Sequence, residues 1–198
     1  MLAGRVSKTR MRFNQQSVDP RVLEIDHHHG QYERNRFIAV YHNLILRLCA
    51  RMSGVRPGMR VLDYGCGKQM LKKHLPAGVD YVGYDLEPAF SDITDPSKDR
   101  YDAVFAIQML MYPDELGLRE LTSMFANVTG RVVVMMPAQG FIKRRVLDPI
   151  LGLKEAADST FRSTPKTAYA ALSGKFDCAR MWHLFGIADI SLWRLRDT

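Results

Sequence analysis

The stretch that decides the fold reads Met59-Arg-Val-Leu-Asp-Tyr-Gly-Cys-Gly-Lys-Gln-Met-Leu-Lys-Lys-His-Leu-Pro76, followed shortly by Val79-Asp-Tyr-Val-Gly-Tyr-Asp85. Val61 and Leu62 form a short apolar run that stops at Asp63. Gly65 and Gly67 follow at once, and a helical pattern opens at Lys68 and stops at Pro76. Strand, glycine turn and helix start make up half of a nucleotide-binding βαβ unit. Glycine turns the backbone sharply and leaves no Cβ in a ligand's way. Tyr81, Val82 and Tyr84 predict a second strand closed by Asp85, whose carboxylate can accept from both hydroxyls of a ribose.

The spacing separates two kinds of cofactor. A dinucleotide site uses G-x-G-x-x-G, with a helix N-terminus facing pyrophosphate. Here Met70 stands at the third glycine position, and Asp63 beside the turn would repel pyrophosphate. A carboxylate at that point suits a cofactor bearing an amino cation and a sulfonium, S-adenosylmethionine (SAM). Val61-Leu-Asp-Tyr-Gly-Cys-Gly67 resembles the first motif of the class I SAM-dependent methyltransferases, V-L-D-x-G-x-G, at each fixed position; Gln69 stands where that family often has a further glycine.

The resemblance implies a Rossmann-like, doubly wound α/β domain. Its sheet would be mostly parallel and seven-stranded, with an antiparallel C-terminal hairpin and flanking helices. It also implies site residues: Asp63, Tyr64, Gly65, Cys66 and Gly67 around the methionine end of SAM, Asp85 on the ribose, and Leu86 against adenine. Asp92 and Ile93 would lie by the adenine amino group, with Ile107 and Gln108 offering carbonyls to the cofactor's amino group. Gln108 and Tyr112 are candidates for the acceptor side, with Met109 and Met111 beside them; for the methionines, core packing is the competing reading. Cys66, inside the turn, reads as packing rather than reactive. The segment Gln108-Met-Leu-Met-Tyr-Pro113 lacks the N-P-P-Y pattern of enzymes that methylate exocyclic amines of nucleic acid.

Working outward, the 198 residues suit one domain with a full core, and 46% hydrophobic with 25% charged residues is an ordinary globular composition. Residues 1–30 read as a basic arm or lid, and 31–198 as one methyltransferase domain. Met1–Arg12 is basic without a long apolar core, so a secretory signal is not expected. Three cysteines, an odd number without metal spacing, fit a reducing, cytoplasmic compartment. His27, His28 and His29 are consecutive and share no face, so no metal site is expected. His29 and Tyr32 are further candidates for orienting an acceptor.

Glu33–Met52 predicts a helix with Phe37, Val40, Tyr41, Leu44 and Leu48 as its inward stripe. Ser91–Pro96 predicts a short third strand with its exit loop, and Tyr101–Gln108 a buried parallel strand. Pro113 is placed in the first turn of a helix whose inward stripe is Leu118, Leu121, Phe125 and Val128. Arg131–Met136 reads as the next strand. Phe141–Leu153 is read as helical and 154–165 as a loop, then a short helix from Pro165 to Leu172. Phe176–Leu184 and Ile190–Arg196 predict the terminal hairpin.

The net charge of +7 favours an anionic partner. The leading expectation is a methyltransferase for a small-molecule or lipid-like, anionic acceptor, with peripheral membrane contact through Lys143, Arg144 and Arg145. Residues 1–32 and about 139–165 would form the acceptor mouth. The alternatives are a methyltransferase acting on structured RNA and a SAM-binding module without catalysis, with a NAD oxidoreductase more distant.

Overall fold

The structure, a computed structural model, describes residues 36–138, 161–184 and 186–197. The arm, with His27–His29 and Tyr32, and the segment carrying Lys143–Arg145 lie outside the described residues, as does the division at residue 30.

Among the described residues, six strands form one sheet in the order β2-β1-β3-β4-β6-β5. They are β1 Arg60–Tyr64, β2 Asp80–Tyr84, β3 Ala103–Ile107, β4 Arg131–Pro137, β5 Phe176–Leu184 and β6 Ala188–Leu195. β1 to β4 run parallel, β6 pairs antiparallel with β4, and β5 pairs antiparallel with β6. Strand order reverses at β1: the chain moves outward to β2, then returns past β1 to β3 and β4. The carboxyl ends of β1 and β3 flank that switch point, where α/β sheets bind ligands.

The central strands are buried on both faces, which explains their unbroken apolar runs. Alternation along each strand splits the core in two. Leu62, Val104, Val132 and Val134 face α2 (Glu115–Val128) and α3 (Pro165–Ser173) through Leu118, Phe125, Val128 and Leu172. Val61, Ala103, Phe105, Val133 and Met135 face α1 (Arg36–Ser53) through Ile45, Leu46, Cys49 and Met52.

The helix ends follow local chemistry. The Asp114 carboxylate accepts from the Gly117 amide at 2.9 Å, so Asp114 caps α2 and Pro113 sits before the cap, not in the first turn. Thr164 and Thr167 form a reciprocal capping box around Pro165 at the start of α3.

Four expectations need correction. Among the described residues the sheet has six strands where seven were expected: Ser91–Pro96 touches β2 only at Gly83, where the Asp92 side chain takes the place of a ladder partner. The predicted helix from Lys68 is a 3₁₀ turn, Met70–His74, because Gln69 is left-handed (φ 54°) and interrupts it. In α1 the inward stripe is rotated, leaving Val40 69% and Leu44 51% exposed while Ile45 and Cys49 are buried. The strand expected over Tyr101–Gln108 is β3, Ala103–Ile107 only: the Asp102 carboxylate is diverted to the Arg60 amide, and Gln108 turns left-handed (φ 59°).

Candidate functional site

The residues expected at the cofactor end do converge. Gly65 (φ 80°) and Gly67 (φ 46°) turn the chain sharply after β1. The amides of Gly65 and Cys66 donate to the Tyr84 carbonyl at 2.7 and 3.0 Å, pinning the turn to the end of β2. Asp85 completes the join: its Oδ2 accepts from the Gly67 amide at 2.9 Å and its Oδ1 from the Glu87 amide at 3.0 Å. Ser91 Oγ receives the Asp85 amide at 3.2 Å and donates to the Ile93 carbonyl at 2.6 Å, tying both ends of the following loop. Leu86, next to Asp85, is 64% exposed. An aliphatic side chain of that exposure beside a carboxylate is free to take a flat apolar ring.

Asp63 lies beneath the turn, 4% exposed. Its Oδ2 accepts from the Tyr81 hydroxyl at 2.7 Å. Burial lifts its pKa to about 7, the Tyr81 hydrogen bond opposes the rise, and the nearby Asp85 charge adds to it. A half-neutralised buried carboxylate of this kind gains from any cation brought beside it.

Cys66 packs, as expected. Its Sγ donates to the Phe90 carbonyl at 3.3 Å. Burial pushes its thiol up to about 12, with the charges of Asp63, Asp85 and Asp92 adding to the effect, so no thiolate nucleophile forms at neutral pH. Asp92 holds β2: its Oδ2 accepts from the Gly83 amide at 2.8 Å.

On the far side of the switch point, Gln108 follows β3, its amide donating to the Met135 carbonyl at 2.9 Å. A left-handed glutamine here is the kind of backbone strain found near functional sites. Met109 packs directly against Gly65, and a Cβ on that glycine would overlap its thioether. Met111 is 4% exposed and belongs to the core, where its carbonyl receives the amides of Arg162 and Ser163. Tyr112 is 37% exposed, with its ring edge-on to Phe161 at 5.8 Å. Burial raises the Tyr112 pKa, so the phenol stays protonated at neutral pH and donates rather than accepts a proton.

Three participants escaped the sequence reading: Tyr81, which holds Asp63; Gln69, whose side chain reaches Phe90 and Asp92; and Gly83. A Cβ on Gly83 would lie 2.9 Å from Cys66 Sγ. An isolated glycine inside a strand is the signal for such a close approach. A separate open groove lined by Gly130, Asp177, Arg194 and Arg196 lies at the opposite, amino end of β4, away from all these groups.

A protein-family profile described as a methyltransferase domain matches residues 31–158. The chain belongs to that methyltransferase family. It is therefore a SAM-dependent methyltransferase with a Rossmann-like fold. Among solved structures, magnesium protoporphyrin IX methyltransferase from Synechocystis PCC 6803 with bound SAH aligns at a TM-score of 0.64 and 18% identity, covering 89% of this chain and 98% of that one. The pyocyanin biosynthetic protein PhzM aligns at 0.62 and 16%, covering 83% and 58% respectively. The cyclopropane synthase MmaA2 from Mycobacterium tuberculosis aligns at 0.54 and 13%, covering 77% and 82% respectively.

 At these identities the likeness establishes the fold alone. No curated protein matches the chain by sequence. Among the described residues, no helix is long and apolar enough to cross a membrane.

Proposed function

We propose that this methyltransferase acts on a small-molecule or lipid-like, anionic acceptor, and that the groups gathered at the switch point hold its cofactor. One observation carries the cofactor half of this reading: the buried Asp63, its pKa lifted to about 7, lies beneath a glycine turn that Asp85 fastens to β2. That donor set fits a cationic nucleoside and suits pyrophosphate poorly. Asp85 would hold the ribose hydroxyls, keeping its two amide bonds, since a carboxylate has about four acceptor sites. Leu86 would cover adenine, with Asp92 and Ile93 at the amino edge. Asp63 would stabilise the amino cation. The carbonyls of Ile107 and Gln108 would receive the same ammonium group.

When bound, SAM supplies a methyl group activated by its sulfonium for in-line displacement. The protein's task is to align the acceptor, and positioning is worth ~7–11 kcal/mol in favourable cases. Gln108 and the protonated Tyr112 phenol are suited to orienting an acceptor by hydrogen bonds. Neither is a general base at neutral pH. An acceptor ionised at working pH, such as a carboxylate or an acidic phenol, needs none.

Support for a small acceptor comes from the similar folds, whose names refer to a porphyrin, pyocyanin biosynthesis and a cyclopropane synthase. The charge of +7 supports an anionic one. The test is incubation of the purified protein with methyl-labelled SAM and cell extract fractionated into small molecules, lipids and RNA. Label in an acidic small-molecule or lipid fraction is expected. Label confined to RNA would overturn this reading and favour the RNA enzyme.

A further inference from the structure

Gln69 occupies a position where its backbone is at odds with its residue type. At φ 54° and ψ 36° it is left-handed, a conformation that glycine adopts without steric cost. Its side chain offers a reason for glutamine there. Nε2 donates to the Phe90 carbonyl at 3.2 Å and to Asp92 Oδ1 at 3.0 Å. The same Phe90 carbonyl receives Cys66 Sγ, and the other oxygen of Asp92 receives the Gly83 amide. A Cβ on Gly83 would stand 3.1 Å from Gln69 Nε2, so the strand itself leaves room for this amide.

These contacts close a ring. Residues 85–92 leave the glycine turn at Asp85, which is bonded to the Gly67 amide, and return to it at Phe90 and Asp92, which are bonded to Gln69. Among the described residues no strand runs alongside β2 to support this loop from outside, so the Gln69 amide supplies a restraint that strand pairing would otherwise give.

We propose that Gln69 is a positioning residue for cofactor binding, its amide latching the 85–92 loop to the glycine turn and so fixing Asp85 and Leu86 in their binding arrangement. This rests on the cofactor reading above. Glycine at position 69 would relax the backbone and release the loop. Glutamate would set a second carboxylate against Asp92. The proposal therefore separates fold stability from cofactor affinity.

The experiment compares the full chain with its Gln69→Gly and Gln69→Glu variants by thermal melting, SAH calorimetry and amide hydrogen exchange over residues 85–92 without ligand. Gln69→Gly should melt within ~3 °C of the wild type, because backbone relief offsets the lost hydrogen bonds. Its SAH affinity should fall ~10-fold, the scale of one or two hydrogen bonds that organise a site. Exchange across 85–92 should quicken in both variants. Unchanged SAH affinity together with unchanged exchange in Gln69→Gly would overturn the proposal. If the wild type itself binds no SAH, the cofactor reading fails; the exchange comparison then decides the latch, equal rates in wild type and variant refuting it.

Discussion

Replacing Asp63 by Asn should remove a pH dependence that one buried carboxyl imposes on the whole domain. Folding raises this group's pKa from 3.8 to about 7, chiefly through burial. A raised folded-state value means that the native protein holds the proton more tightly than the unfolded chain. The stabilisation is complete below about pH 4 and is lost as pH rises through about 7. At about 1.4 kcal/mol per pH unit, the full span is worth about 4 kcal/mol, of which about 3 kcal/mol is lost between pH 5 and 8.5. Asn resembles the neutral acid in shape and can still accept from the Tyr81 hydroxyl, but does not titrate. Melting curves at pH 5 and 8.5 should therefore show the wild type losing ~5–10 °C more than Asp63→Asn, at ~2–4 °C per kcal/mol for a chain of this size. SAM affinity should move the other way, weakening by roughly 1–3 kcal/mol in the variant. Equal pH slopes in the two proteins would refute the assignment of a raised pKa to Asp63.

Asp85→Ala should weaken SAH binding by roughly 1–3 kcal/mol in calorimetry, the scale of hydrogen bonds to a charged group; equal affinity would remove it from the ribose. Gly83→Ala should lower the melting temperature and SAH affinity together, because the new methyl meets Cys66 Sγ at 2.9 Å and Gln69 Nε2 at 3.1 Å. Phe125→Ala, at a fully buried site between α2 and the sheet, should cost ~3–5 kcal/mol in denaturant unfolding. RNA binding, measured by filter retention across a salt series, should be weak and lost by physiological salt; tight, sequence-selective retention there would refute the small-acceptor reading.

How much was legible depended on how local the code is. Asp63, Gly65, Gly67 and Asp85 could be read because a turn, its glycines and the carboxylate at a strand end are written within 27 consecutive residues. The capping box at Thr164 and Thr167 was local too, and the short helix began where expected. The stripe on α1 was not. Its apolar residues circle most of the helix, and which of them point inward is decided by β1, β4 and β6, far away in sequence. The strand expected at Ser91–Pro96 failed for a related reason. Ser91 and Asp92 bond with their side chains to backbone groups, which competes with a ladder, and composition alone does not reveal which wins. Gln69 read as a mere departure from glycine because its purpose lies in Phe90 and Asp92, some twenty positions on.

With no strand beyond it among the described residues, β2 is a border of the sheet, and borders invite strangers. A free amide and carbonyl on an outer strand are a template for another chain's extended segment. At Gly83 that invitation is withdrawn: the Asp92 carboxylate takes the amide, and the Asp92 amide takes the carbonyl. The guard is a charged side chain, which also repels an approaching acidic or apolar strand. β5, at the opposite border, is broken by a bulge between Cys178 and Arg180 that spoils its register for any newcomer. A variant lacking the Asp92 carboxylate would therefore be the first place to look for self-association.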